Sequence, residues 1–402
     1  MKNQIIKTFI ICFVFSIYSC SNSSNNSNSK EFINAEKEIE PSNEVELKII
    51  ELGEFIDNAI LDQDIEGYLS KLDIDYFLNK TTHSIGLSRK EKVGFKEGLS
   101  KGVSSLPREI MSKVSEGQLY DFVSYRYDTS QNAYYILFRF FSEEEGINYH
   151  DYRVSRNGDQ FMFNDIFIYL TGENLSQTME RILISGMPSN SLIALLKPEK
   201  KRDMERLIQA SKALRLANFQ EAYDAYNSLE GDMKNEKFVL IMKAQVAIKI
   251  DEDLYEETIK ELIQTYPNDN TISLNFIDYY IINEEYQKAL EAIHNLKEET
   301  GDDFLEYILG NINYQKEDYT FAKNNFKLIT ENYESFATGY LSYMSCLVKD
   351  NEYKEVIPLL NKLLTLDYTR PELIEYLESI DEFGGNEYED FILSKVYLDW
   401  KN

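Results

Sequence analysis

Residues that carry nucleophilic or metal chemistry are scarce in this chain, which has three histidines and three cysteines in 402 residues. His83 and His294 have no companions at ligand spacing, and no HExxH, CxxC, GxGxxG or GxxxxGK[ST] occurs. The signatures of zinc hydrolases, dithiol oxidoreductases, dinucleotide binders and P-loop enzymes are therefore missing, and no catalytic residue, metal site or cofactor is assigned. Ser27 and Lys30 copy an S-x-x-K fragment of penicillin-binding enzymes, without the SDN and KTG partners. Positive charge is also short. Lys and Arg number 42 against 69 Asp and Glu, for a net charge of −27. A surface this acidic repels phosphate backbones, so nucleic acid is not an expected partner. It favours solubility, or a docking face for a basic partner. No heptad is sustained for long enough to make a coiled coil.

The N-terminus carries the sharpest local signal. Lys2 and Lys7 bracket "MKNQIIK", and the apolar run "TFIICFVFSIY" that follows is too short to span a bilayer comfortably. "SIYSC" then closes on Cys20, with Ile17 three residues before it and small Ser19 just before it. This resembles a bacterial lipobox. The resemblance implies cleavage after Ser19 and lipid attachment to Cys20. An ordinary secretory signal with an incidental Cys20 is the alternative. The tract "SNSSNNSNSK" has the composition of a flexible tether, and several acyl chains anchor stably where one does not. Removal of the signal takes Cys12 with it. Cys346, flanked by Met344 and Leu347, is then the sole free thiol and reads as a small buried residue. The expected address is the bacterial cell envelope, on the outer membrane facing the periplasm.

Residues 43–197 read as an α+β domain. "NEVELKIIELGEFIDNAI", "GYLSKLDIDYFLNK", "RKEKVGFKEGLSKGV" and "PREIMSKV" have helical spacing. "QLYDFVSYRYD", "NAYYILFRFF", "INYHDYRVSR" and "QFMFNDIFIYL" read as four antiparallel strands, separated by hairpin breaks that include Asn157–Gly158. Helices first and a meander afterwards resembles NTF2-like or cystatin-like domains, in which a curved sheet wraps a cavity. That resemblance implies a pocket, with Tyr149, His150 and Asp151 as its candidate residues. His150 is either an acid or base facing the cavity or a hydrogen-bonded structural histidine. "GENLSQTMERILISGM" reads as a connecting helix capped by Asn174 or Ser176. Asp62, Asp64, Glu66, Gly67 and Asp73 nearly spell a calcium loop, but Glu66 and Asp73 depart from the ligand pattern at positions five and twelve. A helix, a tight turn at "DQD" and a second helix are the expected reading there.

Residues 198–402 carry a repeat. Phe219, Tyr255, Tyr286, Tyr319, Tyr353 and Tyr388 recur at a period near 34, each opening an apolar face at offsets 3, 7 and 10. Each follows a polar turn such as "KED" or "DNE", with a second apolar helix upstream. Helix, turn and helix at this period resembles the tetratricopeptide repeat, best in the fourth unit with Leu309, Gly310, Ala322 and Phe326. The second and sixth units match poorly. The resemblance implies a solenoid whose concave groove is lined by Leu274, Asp278, Tyr307, Asn311, Tyr314, Leu341 and Ser345 and takes a peptide. Packing of the tyrosines between repeats is the alternative. "EYEDFILSKVYLDWKN" reads as a capping helix with Phe391, Ile392 and Leu398 turned inward. These features lead to an expectation of a non-catalytic, lipid-anchored scaffold for a protein or peptide. The alternative is a small-ligand binder or weak enzyme using the middle-domain cavity, with the helical region as its mount.

Overall fold

The computed structural model describes residues 39–83, 103–143, 146–186, 198–267, 269, 272, 274–380 and 385–402. The signal peptide, Cys20 and the predicted helix "RKEKVGFKEGLSKGV" (except its last residue) lie outside them. The chain divides into two compact units, 1–276 and 277–402. The first therefore includes helices beyond the expected domain boundary at 197/198.

The first unit begins with α1 (Asn43–Leu61), α2 (Ile65–Ser70) and α3 (Ile74–Thr82). Ser42 caps α1 through a hydrogen bond from the Val45 amide. Gln63 takes a left-handed φ of 58° in the turn that follows. Asp64 and Asp73 then cap α2 and α3, accepting from the amides of Gly67 at 2.8 Å and Tyr76 at 3.0 Å. The calcium-like spacing thus serves helix capping, and the tight turn expected there is present. Helix α4 (Ser105–Ser115) precedes the sheet.

Strands β1 (Leu119–Asp128), β2 (Ala133–Ser142), β3 (Gly146–Asn157) and β4 (Gln160–Ile168) pair as an antiparallel meander. A two-residue β5 (Glu173–Asn174) extends it to five strands. The β3–β4 hairpin closes at Gly158, whose φ of 64° is the reason a glycine follows Asn157. Side chains alternate across the sheet, so Ile136, Phe138, Phe140, Tyr152 and Val154 point into one core with Ile49, Leu52 and Ile56 of α1. Gly53 lets α1 approach β1 closely, since a Cβ there would sit 2.9 Å from the Phe122 ring.

Helix α5 (Leu175–Gly186) leaves the sheet, with Gln177 Oε1 accepting from the Asn174 amide at its cap. Then come α6 (Pro198–Arg215), α7 (Phe219–Asn227), a 3₁₀ turn at Met233–Asn235, α8 (Lys237–Ala247) and α9 (Glu252–Thr265). Helix α8 docks on the turn after β4. Gly172 there has a φ of 66°, and a Cβ would fall 2.6 Å from Ile241 Cδ1. Arg181 lies over the Phe238 ring at 4.0 Å, and Lys237 over Phe167 at 5.0 Å.

The second unit is all-helical. Helix α10 (Leu274–Ile282) straddles its start. It continues with α11 (Tyr286–Thr300), α12 (Leu305–Gln315), α13 (Tyr319–Asn332), α14 (Ala337–Lys349), α15 (Tyr353–Leu363), α16 (Arg370–Glu378), α17 (Glu389–Ile392) and α18 (Lys395–Lys401). Of the periodic positions read from the sequence, those at the later offsets are mostly buried, while the opening Phe219, Tyr286, Tyr319 and Tyr353 are half-buried. Ala222, Thr258, Ala289, Ala322, Val356 and Phe391 are all essentially inaccessible. At the later offsets Leu262, Ile293, Phe326, Leu360, Leu296, Ile329 and Leu363 are too, while Thr265 is exposed.

The turns between helices repeat as well. Ala217, Glu284, Glu317 and Asn351 all adopt left-handed φ, between 54° and 63°. In each case the next amide bonds five residues back: Asn218 to Ala213, Glu285 to Tyr280, Asp318 to Asn313 and Glu352 to Leu347. This is the Schellman stop, here without glycine. The turn before Tyr255 departs from it, and Asp251 instead caps α9 through the Leu254 amide.

The C-terminal face differs from expectation in part. Phe391 is buried and Ile392 half-buried, but Leu398 is 46% exposed. Tyr397 and Trp400 turn inward instead, the Trp400 indole donating to Asn361 Oδ1 and stacking under Arg370.

Two substitutions test this packing. At Gly310 a Cβ would lie 2.5 Å from the Phe326 ring, which is itself buried, so Gly310→Val should cost ~1–3 kcal/mol in chemical denaturation. A left-handed glutamate carries strain that glycine lacks, so Glu317→Gly should raise stability by ~0.5–1 kcal/mol. A lowered midpoint for that variant would contradict the strained turn.

Candidate functional site

Strand β3 alternates Asn148, His150 and Tyr152 onto the α1 side of the sheet, with Tyr149 and Asp151 on the other. The even-numbered residues form a continuous buried hydrogen-bonded chain. Asn148 Oδ1 accepts from the backbone amides of Tyr149 at 2.8 Å and Leu170 at 3.0 Å. That fixes the side-chain amide with Nδ2 turned to His150 Nε2, 3.3 Å away. An NH₂ group only donates, so Nε2 is the accepting nitrogen and the imidazole proton resides on Nδ1. Nδ1–H then donates to Tyr120 Oη at 3.2 Å, and hydrogen bonds of 2.9 Å and 2.8 Å join Tyr120 to Tyr152 and Tyr152 to Tyr68. The tautomer of His150 follows from the two amides that hold Asn148.

The elements that position these groups are aromatic and tightly packed. Tyr120 stacks on Phe138 at 5.3 Å, and Phe138 meets Tyr152 edge-on at 4.9 Å. Burial lowers the His150 imidazole to about 4 and pushes the Tyr68, Tyr120 and Tyr152 hydroxyls well above their ordinary value. All four groups are therefore neutral at neutral pH.

Asn148 and His150 end this chain at a cavity of about 60 Å³. Helix α4 contributes Leu106, Glu109, Ile110 and Lys113, the sheet Phe140 and Ile168, the turn after β4 Leu170 and Thr171, and helix α8 Met242 and Gln245. Gln245 Nε2 donates to the Leu170 carbonyl, tying α8 to that turn. A single water needs about 10–15 Å³ on this scale, so the space suits a ligand of several heavy atoms.

Of the predicted pocket residues, His150 lines this cavity, whereas Tyr149 and Asp151 face away. Tyr149 packs on Tyr169 at 5.6 Å, and Asp151 is paired with both terminal nitrogens of Arg126 at 2.8 and 2.6 Å. Asn148, Tyr120, Tyr152 and Tyr68 were not expected. The available signal was the polar Asn148–His150 alternation on an otherwise apolar strand face.

The predicted groove residues divide. Leu274 is buried, and Asp278 lies on α10 with its side chain outside the described residues. Tyr307 is 8% exposed and packs against Phe304, Phe326 and Phe336, so it fills the space between helices rather than lining a surface. Ser345 is buried under Tyr388, its hydroxyl 2.6 Å from Tyr388 Oη and 3.1 Å from Glu387 Oε1. Asn311, Tyr314 and Leu341 remain half-exposed. Cys346 is buried, and burial pushes its thiol up to about 12.

Among the described residues no cluster of His, Cys, Asp or Glu has metal-site geometry, and no helix is long and apolar enough to cross a membrane. No protein-family model, curated protein or solved structure matches the chain.

One pH prediction follows from the buried groups. The unfolded His150 takes up a proton near 6.5 and the folded one only near 4, so acidification across that window destabilises the fold. Asp57 runs the other way. Burial and the Asp121 charge raise it to about 6, so the folded state takes up that proton first and gains stability as pH falls from 6 towards 4. The two slopes oppose. Asp57→Asn should therefore be more stable than the parent by ~1–2 kcal/mol at pH 7, allowing for partial solvation of Asp57. The gain should shrink by pH 4.5 in urea denaturation. An equal gain at both pH values would remove Asp57 from this role.

Proposed function

We propose that this chain is a lipid-anchored protein of the bacterial envelope that binds a small ligand in its α+β domain. The observation that carries the proposal is the cavity between α4, the sheet and α8, apolar over most of its wall and ending on the oriented Asn148–His150 pair. Ligand sites combine an apolar wall with a few fixed polar groups in this way. The neutral imidazole and neutral tyrosines support binding over acid–base catalysis, since none of them is poised near neutral pH. Helices α6–α15 and their recurrent stops support a reading as repeats of tetratricopeptide type, with the helical region as the mount of the cavity domain. The lipobox-like "SIYSC" supports the anchor at Cys20.

A peptide-binding role for the repeats is the second reading. It is favoured by half-exposed Asn311 and Leu341.

Ile110 is 3% exposed on the cavity wall, and an indole in its place fills the space. A ligand at 100 times its Kd should stabilise the parent by ~2.7 kcal/mol. Ile110→Trp should lose that shift while its ligand-free melting temperature stays close enough to show a folded protein. An undiminished shift would place the ligand elsewhere. Cys20→Ser should release the chain from the membrane fraction, and a variant that still sediments with membranes would contradict Cys20 as the anchor.

A further inference from the structure

We infer that the cavity takes a small neutral hydroxyl compound with an apolar body, a phenol or short-chain alcohol, whose oxygen sits between Asn148 Nδ2 and His150 Nε2. The inference rests on the cavity being a ligand site and specifies its chemistry. The Asn148–His150 contact, at 3.3 Å between two nitrogens, is a long hydrogen bond that a ligand oxygen can replace. Asn148 Nδ2 carries a second hydrogen that this contact does not use, and Nε2 accepts because Nδ1 is committed to Tyr120. Nε2 has a single lone pair, so a ligand that donates to it replaces the Asn148 contact and accepts the Nδ2 hydrogen it frees; the polar end then offers one donor and one acceptor side by side.

Few groups match both. A hydroxyl donates to Nε2 and accepts from Nδ2 at the same oxygen. An ether or ketone only accepts and leaves Nε2 as it was. A carboxylate also only accepts, sets its charge against the Nε2 lone pair, and loses solvation against an apolar wall. An ammonium at this end would be buried beside a neutral imidazole that offers no counter-charge, and the one carboxylate of the wall, Glu109, shares it with the cation Lys113. The body of the ligand meets Leu106, Ile110, Phe140, Ile168, Leu170 and Met242, a wall suited to a ring or short alkyl chain. Methionine adapts to the shape that enters.

The test uses the full chain in detergent with four probes: phenol, anisole, toluene and benzoate. Long-range proton–nitrogen NMR of the three histidines reads the site itself, so probe dissolved in micelles does not count as binding. Phenol should saturate a shift of the His150 Nε2 resonance with the Nδ1–H form retained. It should bind about tenfold or more tightly than anisole or toluene, the discrimination expected of one buried hydrogen bond. His150→Phe should bring phenol and toluene to similar affinity. If that variant does not fold, the probe series on the parent chain still decides. Equal affinity of phenol and toluene in the parent overturns the hydroxyl inference and leaves an apolar-ligand site standing. Benzoate binding tightest, with an imidazolium signal from His150, overturns it in favour of an anion. Binding of none of the four overturns both this inference and the ligand-site reading.

Discussion

The fixed amide of Asn148 is the constraint on which the rest of the site depends. Two backbone N–H groups, from β3 itself and from the turn after β4, hold its oxygen and leave its nitrogen no choice of direction. Through His150 that choice reaches Tyr120, to which Tyr152 and then Tyr68 are hydrogen-bonded. Buried polar groups are costly when half-satisfied, and such a network is worth having only when it is ordered throughout. Order here comes from the scaffold. The aromatic packing of Tyr120 and Phe138 fixes ring positions, and Leu170, which supplies one of the two amides, is tied to α8 by Gln245. The cavity and the chain of hydroxyls therefore share a wall, and a disturbance of the α8 contact at Gly172 reaches both.

Much of the architecture was legible in the sequence because it rests on periodicity. The α+β order, the four long strands and the hairpin at Gly158 follow from alternation and turn chemistry. The helical faces at Ala289, Ala322 and Leu360 follow from spacing. The left-handed stops at Glu284 and Glu317 were not legible, because no glycine marks them; only the polar triplets "NEE" and "KED" do. The site was less legible for a different reason. Period two places His150 opposite Tyr149 and Asp151, but it does not say which face the cavity takes. The partners Tyr68 and Tyr120 lie 84 and 30 residues from Tyr152 and His150 respectively. No local pattern connects residues that distant. The inward turn of Tyr397 and Trp400 in place of Leu398 is similar, since the aromatics win by finding Glu378, Arg370 and Asn361 as polar partners.

In the second unit the same small-and-large packing rule that builds the helix pairs also decides what they leave exposed. Gly310 admits Phe326, and Phe326 in turn supports Tyr307 and through it Phe336. An aromatic that fills such a gap is not available to a peptide. Tyr307 is thus committed to the interior, and half-exposed Asn311, Tyr314 and Leu341 are what the predicted groove retains.

Charge separates the surface from the site. A net −27 leaves the outside strongly acidic, yet three buried carboxylates of the first unit are individually answered: Asp165 by Lys80, Asp151 by Arg126, Glu173 by Arg181. Each pair has a buried acid and a more exposed base, so the cation stays solvated while the anion is neutralised. What remains at the polar end of the cavity is an amide, an imidazole held neutral by burial, and hydroxyls. An anionic ligand would have to cross an acidic surface to reach a polar end that carries no charge of its own, Lys113 and Glu109 standing on the α4 wall. A neutral amphipathic molecule meets neither barrier, and the one directional feature awaiting it is the donor–acceptor pair that Asn148 sets in place.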